Sequence, residues 1–332
     1  MSETLPALVT GASGHIGANL VRALLAQGRK VRALVHKNTS AVDGLPIETM
    51  RADLLDGAAV LRACQGTSTV FHLAGKISAG WEPDAEVQSI NVLGTRNVVE
   101  GCLAAGVRRL VHFSSIQTLV LKPGTELLDE TCDLVSQDDH ARGAYDRAKA
   151  EAERLVLGAQ ERGLDSVGLN PTAVLGPFDF QRSPMGEVLI GLGQGKFPAL
   201  VSGGYCDFVD VRDVVAGALA AEKIGRPSER YILSGTRMSL VKLAQAWAVV
   251  AGRPAPRIAV PMALARLAAP FASAWARLRR QSPLFTAESL RVLRTQPPAS
   301  HRKAEAELDY HPRPLDETLR DTHAWMKTQG WL

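Results

Sequence analysis

Three side chains in this sequence have the types and spacing for proton-coupled chemistry on a carbonyl group. Tyr145 and Lys149 stand four residues apart, at the head of a stretch whose apolar positions continue at helical spacing through Val156 and Leu157. Their side chains therefore share one helix face. A phenol with an ordinary pKa of roughly 10 trades protons poorly near neutrality. A lysine ammonium beside it favours the phenolate, and bringing the pKa near 7 would take about 4 kcal/mol of differential stabilisation. Upstream, the apolar run from Arg109 to Phe113 ends in Ser114-Ser115. A hydroxyl at Ser115 can donate to a carbonyl oxygen as that oxygen gains alkoxide charge. Tyr-x-x-x-Lys alone is common by chance; behind a strand that ends in Ser-Ser it is specific.

The elements that must position these groups begin at the opening of the chain. Leu5 to Val9 reads as a short buried strand, Gly11, Gly14 and Gly17 punctuate a turn, and Ile16, Leu20, Ala23 and Leu24 repeat at helical spacing until Gly28. Small residues at a strand-to-helix turn let backbone N–H groups reach a pyrophosphate, and the helix N-terminus favours its charge. A dinucleotide is thus expected at the first turn, and an oxidised nicotinamide ring would also favour the Tyr145 phenolate. The second strand, Val31 to Val35, should end in an acid if a ribose 2′-hydroxyl is bound there. It ends instead in Val35-His36-Lys37. With Arg32, these cations would attract a 2′-phosphate, so NADP(H) is favoured over NAD(H), although such charges are commonly only surface groups at a strand end.

Further strands follow at Ile47–Ala52, Thr69–Leu73 and Arg109–Phe113, with helices between them. Asp53 either accepts from an adenine amino group or caps the next helix. His72 reads as a packed strand residue. Ala74-Gly75 would let a cofactor approach the backbone, and Asn91, on a long helix from Asp84 to Ala105, can bond the main chain of a neighbouring strand end. Near-continuous apolar strands separated by helices predict an α/β fold, a Rossmann-type doubly wound parallel sheet covered on both faces. Ligands in such sheets bind at the carboxyl ends of the strands. Gly11–Gly17, Asp53, Ala74-Gly75 and Ser114-Ser115 all fall at such ends.

In order along the chain, the glycine turn, Asp53-Leu54, His72-Leu73-Ala74-Gly75, the Asn91 segment, Ser114-Ser115 and Tyr145-x-x-x-Lys149 resemble the extended short-chain dehydrogenase/reductases, the NAD-dependent epimerase/dehydratase superfamily. The likeness continues through Asn170-Pro171-Thr172-Ala173-Val174, Asp207-Phe208 and the tail from Lys303, and so covers nearly the whole chain. Within the superfamily it is similar to the dihydroflavonol-4-reductase-like and 3β-hydroxysteroid dehydrogenase-like branch. The resemblance implies a Ser115, Tyr145 and Lys149 triad and a dinucleotide lying over Gly11, Gly14 and Gly17. It further implies cofactor contacts from Ser13, His15, Ile16, Leu54, Leu73, Ser114, Pro171, Thr172 and Val174. Sugar-nucleotide epimerases of the family commonly carry an arginine before the Asp-Phe pair; here Cys206 stands there. A neutral thiol cannot neutralise a pyrophosphate, which tilts the substrate toward a carbonyl compound without a nucleotide handle.

Length and composition agree with an enzyme of this kind. The 332 residues can bury a sizeable core, with 46% hydrophobic and 22% charged side chains. A net charge of +4 gives no argument for nucleic acid. Cys64, Cys102, Cys132 and Cys206 have neither zinc-ligand nor disulfide-framework spacing, and no metal is expected. Reduced thiols, an opening without a basic n-region and the lack of a long apolar run predict a cytoplasmic location and no membrane span. Residues 1–172, with 206–224 returning to them, are expected to form the dinucleotide half; 173–205 and 225–332 form a smaller, mostly helical substrate half. Trp81 and Gln117, or its neighbour Thr118, are placed to touch substrate. Phe178, Phe180, Met185 and Phe197 are further candidates, although aromatic residues in such positions more often pack in the core. The stretch from Pro261 to Arg280 reads either as a helix packed on the substrate half or as a basic amphipathic helix on a membrane surface, interrupted by Pro270. The family resemblance also implies that the helices around 84–105 and 143–162 could pair with a second subunit in a homodimer. Together these features predict an NADP(H)-dependent reductase or dehydrogenase interconverting a ketone and a secondary alcohol. The competing readings are a sugar epimerase or dehydratase that regenerates its NAD(P), and a non-catalytic dinucleotide sensor.

Overall fold

The computed structural model describes residues 5–78, 82–269 and 286–332. In chain order the first half runs β1 (Ala7–Thr10), α1 (His15–Ala26), β2 (Val31–Val35), β3 (Glu48–Arg51), α2 (Gly57–Cys64), β4 (Thr69–His72), α3 (Asp84–Gln88), α4 (Gly94–Ala105), β5 (Arg109–Phe113), the short pair β6 (Leu119–Val120) and β7 (Asp133–Leu134), α5 (Ala144–Gly158) and β8 (Ser166–Pro171). The second half runs β9 (Ala173–Leu175), α6 (Pro184–Gly193), β10 (Ala199–Ser202), β11 (Tyr205–Asp210), α7 (Val211–Ile224), β12 (Arg230–Leu233), β13 (Thr236–Ser239), α8 (Leu240–Ala251) and β14 (Ile258–Pro261). It ends with α9 (262–269), α10 (Ala287–Thr295), α11 (Arg302–Leu308) and α12 (Leu315–Thr328).

Seven strands form one parallel sheet in the order β12-β8-β5-β4-β1-β2-β3. The chain winds outward from β1 in one direction, then returns to β4 and winds outward in the other. The order therefore reverses between β1 and β4, the place where such sheets open a crevice. Alternate side chains go to opposite faces. Val9, Phe71, Val111 and Val167 pack with Leu20 and Leu24 of α1 and Val214 and Ala218 of α7. Leu8, Val70 and Leu110 pack on the other face with Val60 of α2, Val98 of α4 and Val156 of α5. Both faces are covered, which explains the unbroken apolar runs.

Two boundaries differ from the sequence-based expectation. β12, assigned to the substrate half, is instead the edge strand beside β8, with Tyr231, Ile232 and Leu233 fully buried. β11, expected to return to the main sheet, stays in a three-stranded sheet between β9 and β13; only α7 goes back, to pack beside α1. Asp207 explains the departure, since its Oδ1 accepts from Thr172 Oγ1 and from the Gly235 N–H, both at 2.7 Å, which holds β11 between the strands that follow those residues. The long helix expected from Asp84 is interrupted by a π-helical turn over Ser89–Leu93 before α4 resumes it. Residues 262–269 are helical as expected, whereas Pro270 and the arginines at 277, 279 and 280 lie outside the described residues. Among the described residues no helix is long and apolar enough to cross a membrane.

The core sets a clear stability expectation. Phe71→Ala, at a fully buried site in the centre of the sheet, should cost about 3–5 kcal/mol and lower the midpoint of chemical denaturation. Val249→Ala, on α8 with its side chain 83% exposed, should shift the same curve by no more than about 0.5 kcal/mol.

Candidate active site

The glycine turn sits against the loop after β4. Gly11 has φ +69°, and a Cβ on it would lie 2.7 Å from the Ala74 nitrogen; one on Gly17 would lie 2.2 Å from the Gly11 carbonyl oxygen. Only glycine lets β1, its turn and the first turn of α1 come this close to one another and to Ala74. α1 starts at Gly14 with no side-chain cap and no acidic residue in its first turn. A side-chain-free cradle beneath an uncapped helix N-terminus fits the pyrophosphate of a dinucleotide. His15 and Ser13 serve the rim of this turn: His15 Nε2–H donates to the Pro177 oxygen at 3.1 Å, and Gln181 donates to the Ser13 oxygen at 2.9 Å. Ile16 packs against the core below.

A buried chain of hydrogen bonds pins the opposite wall. Thr95 Oγ1 donates to the Asn91 carbonyl at 2.6 Å, so its contact with His72 Nε2 at 2.9 Å must be donated by the imidazole. His72 Nδ1 is then the acceptor from Thr10 Oγ1 at 2.8 Å, and the threonine oxygen accepts the Ala74 N–H at 3.2 Å. Burial drives the His72 pKa down to about 3, so this imidazole stays neutral and structural. Asn91 lies in the π-helical turn and uses both ends of its amide on Lys76, accepting its N–H at 3.0 Å and donating to its carbonyl at 2.9 Å. The side chain thus braces the Ala74–Lys76 loop, as its position suggested. Leu73 lies in this wall, its N–H bonded to the Thr10 carbonyl.

At the carboxyl ends of β2 and β3 the structure changes the list of candidate cations. Arg32, expected at the cofactor, instead donates to Glu48 and to the Ala63 and Gln65 carbonyls where α2 ends. Its side chain is held at the second residue of β2, away from the strand's carboxyl end. Arg51, passed over in the sequence because the third strand showed no motif, is in register with Val35 and is exposed beside it. His36 and Lys37 are exposed there too, and His36 Nε2 lies 3.8 Å from Asp53 Oδ2. Asp53 does not cap α2. Asp56 does, accepting from the Ala59 N–H at 3.0 Å, and Leu54 is buried in the core.

Ser115 and Tyr145 meet. The Ser115 hydroxyl lies near enough to the phenol to favour its charged form, and Ser115 Oγ also accepts the Gln117 N–H at 3.2 Å. Burial and then the neighbouring Asp146 charge push Tyr145 up to about 12, with the Ser115 hydroxyl opposing them. Lys149, one helical turn on, was expected to lower the phenol pKa. Its ammonium instead donates to the Phe113 carbonyl at the end of β5, and burial brings its own pKa down to about 8 against the pull of Glu153. Within the protein's own groups, Tyr145 is a neutral hydroxyl poised to donate.

Beneath the three residues lies a polar cluster that the sequence reading did not assign. Asn170 Nδ2, on β8, reaches the Ser115 carbonyl at 3.2 Å, Thr118 Oγ1 at 3.1 Å and Glu153 Oε2 at 2.8 Å. Arg230 Nε, from β12, lies 3.0 Å from Glu153 Oε1. Glu153 is fully buried. Its position on the α5 face one turn past Lys149 was visible in the sequence, but the partner strand was not. Thr118, considered for substrate, belongs to this cluster and is also fully buried.

The remaining candidates are spread more widely. Ser114 is buried at the end of β5, its N–H bonded to the Leu169 carbonyl. Pro171 ends β8, Thr172 donates its hydroxyl to Asp207, and Val174 packs on the core. Phe178 and Phe180, expected to touch substrate, meet Trp325 at a tilt and edge-on respectively, beneath the Arg22 guanidinium, 4.7 and 5.2 Å from the two phenylalanine ring centres. They tie α1 to α12, because the left-handed backbone at Phe178 (φ +63°) turns the ring inward. Met185 and Phe197 pack in the same core. Gln117 borders a small cavity beside Asp146, and Trp81 lies outside the described residues.

Residues 7–233 match the NAD dependent epimerase/dehydratase family. The chain belongs to it. It is 34% identical to sterol demethylase protein B of Methylococcus capsulatus over 98% of this chain and 99% of that one. It is likewise 34% identical to a Synechocystis sp. protein provisionally named a dihydroflavonol 4-reductase, over 98% and 95% of the two chains. The crystal structure of gox2253 superposes with a TM-score of 0.84 at 30% identity, covering 98% of this chain and 99% of that one. The protein is thus an NAD(P)-dependent enzyme of the oxidoreductase and epimerase kind, with a Rossmann-like fold.

The buried cluster beneath Ser115 makes a sharp prediction. Arg230→Met removes the ion-pair partner of the buried Glu153 carboxylate and should destabilise the protein by about 3–5 kcal/mol. Pairing it with Glu153→Gln should recover most of that loss in chemical denaturation.

Proposed function

We propose that this enzyme is an NADP(H)-dependent reductase or dehydrogenase that interconverts a ketone and a secondary alcohol. The meeting of Ser115, Tyr145 and Lys149 at the carboxyl end of β5, where Lys149 donates to the Phe113 carbonyl, in a sheet whose β1 turn is a glycine cradle, carries the reading. The nicotinamide, when bound, supplies or takes up the hydride. In the reducing direction Tyr145 gives its hydroxyl proton to the substrate oxygen, and Ser115 donates a hydrogen bond to the same oxygen as charge develops on it. Lys149 holds the nucleotide side of the site and compensates the phenolate left behind. Reprotonation of Tyr145 from solvent closes the cycle, and oxidation runs the same steps in reverse.

Cys206 supports a substrate without a nucleotide handle. Burial and the adjacent Asp207 push its thiol up to about 12, so it is neutral in front of the Asp207-Phe208 pair and offers a pyrophosphate no cation. The reductase name carried by the Synechocystis relative points the same way. For the cofactor, the lack of a carboxylate among Val35, His36 and Lys37, together with exposed Lys37 and Arg51 at the ends of β2 and β3, supports NADP(H). Asp53 near His36 works against it, but two cations outnumber that one acid.

Tyr145→Phe should keep cofactor binding and lose turnover by about 100-fold or more. Unchanged kcat would remove Tyr145 from the mechanism. A screen of ketones and secondary alcohols should show net nicotinamide consumption; turnover of a sugar derivative with none would favour an epimerase or dehydratase instead. In a fluorescence titration NADPH should bind at least about tenfold more tightly than NADH, and Arg51→Ala should erase that preference, since a lost phosphate contact of about 1.4 kcal/mol is a tenfold change. Equal affinities in the unaltered protein would mean that His36, Lys37 and Arg51 face only water.

A further inference from the structure

The first turn of α5, which carries Tyr145, is clasped from outside by α10. Arg291 Nη2 donates to Asp146 Oδ2 at 2.7 Å, and Arg291 also donates to both oxygens of Glu288 at 2.9 and 2.5 Å. Glu288 fills the space over Gly143, the residue that begins the helix: a Cβ on Gly143 would lie 2.3 Å from Glu288 Oε1 and 3.0 Å from its Cδ. A Cβ there would have to push the Glu288 carboxylate aside where α10 crosses the helix start. Asp146 is 1% exposed, and its other oxygen, Oδ1, has no hydrogen-bond partner among the described residues. The cavity that Asp146 borders with Gln117, Arg142, Arg291 and Gln296 holds about 30 Å³. That is the room of one water and excludes a substrate.

A buried ion pair adds little stability over apolar packing, so its position asks for another reason. Asp146 is the residue next to Tyr145, and a carboxylate there opposes formation of the phenolate. We propose that Arg291 is a positioning residue for the proton-transfer step: seated on Asp146, it holds the tyrosine end of α5 beneath α10 and cancels the carboxylate charge beside the phenol. The proposal rests on the reading of Tyr145 as the proton donor. The charges acting on Asp146 are Arg142 in the preceding loop and Arg291 and Glu288 on α10; on α5 itself Arg147 is paired with Asp84 of α3 at 3.5 Å, and Lys149 is turned to Glu153 and the Phe113 carbonyl. With Arg291 gone, Arg142 is the remaining cation that acts on Asp146, and Glu288 is left unpaired above the same turn. The C-terminal part of the chain thereby governs a proton on the dinucleotide half.

The test is a charge cycle read on Tyr145 itself. The tyrosine is titrated by ultraviolet difference spectroscopy in the NADP⁺-saturated protein, with Tyr145→Phe subtracted, and kcat/KM for alcohol oxidation is followed over the same pH range. Arg291→Met should raise the Tyr145 midpoint by about one pH unit, Asp146→Asn should lower it, and Arg291→Lys should restore most of the unaltered value. In the Asp146→Asn background, where only the Glu288 charge is uncovered, Arg291→Met should move the midpoint by less than half as much as in the unaltered protein. Thermal melts of each variant separate this shift from unfolding, because a merely structural contact lowers Tm without moving the midpoint. A midpoint unmoved by Arg291→Met, or moved equally with Asn at 146, would overturn the proposal while leaving Tyr145 as donor. Full turnover by Tyr145→Phe would overturn both.

Discussion

Where the sheet order reverses, two main-chain segments must approach more closely than side chains permit. The turn after β1 and the loop after β4 meet at Gly11 and Ala74, and everything at the nucleotide end follows from that contact. Glycine supplies the room on one side. On the other, the Thr10, His72, Thr95 and Asn91 chain fixes the loop, and it does so with a neutral imidazole because burial makes the charged form too costly. A histidine is suited to this task since it can accept at one nitrogen and donate at the other across two strands and a helix.

The opposite end of the crevice depends on buried charge. Glu153 is compensated by Arg230 and Asn170, and Asp146 by Arg291. Each pair joins the helix that carries Tyr145 and Lys149 to an element far away in the chain: β8 and β12 in one case, α10 in the other. Breaking such a pair strands a charge in a poor solvent for it, which makes these contacts selective as well as cohesive. Helix α5 is therefore held at its first turn by α10 and along its inner face by the sheet, and the phenol of Tyr145 is aimed at Ser115 between those anchors.

Much of this was legible in the linear chain. The glycine turn, the alternation of apolar strands with helices, the Ser-Ser strand end and the Tyr145 to Lys149 spacing are local patterns, and local patterns reflect backbone geometry with fixed periods. Asn91 was correctly read as a main-chain brace because its amide sits where a strand end must pass. Arg32 was misplaced because an arginine reaches far and its partner, Glu48, lies on a neighbouring strand. Phe178 and Phe180 were misplaced because one left-handed residue turns a loop inward, and that conformation has no signature at a phenylalanine. β12 was missed because four residues between polar turns give too short a period to read.

By itself the sequence determined the parallel sheet, the glycine turn at its centre and the order of Ser115, Tyr145 and Lys149, since each depends on spacing within a single element or its immediate turn. Only the tertiary structure decided which charges face one another: Lys149 on a strand carbonyl, Asp146 under Arg291, Arg230 against Glu153, and Arg51 beside the end of β2. The physical reason is that electrostatic and desolvation effects fall off over a few ångströms in space, whatever the distance along the chain. Proton affinity at Tyr145 is thus a property of the folded neighbourhood, built from residues as far apart in sequence as Ser115 and Arg291.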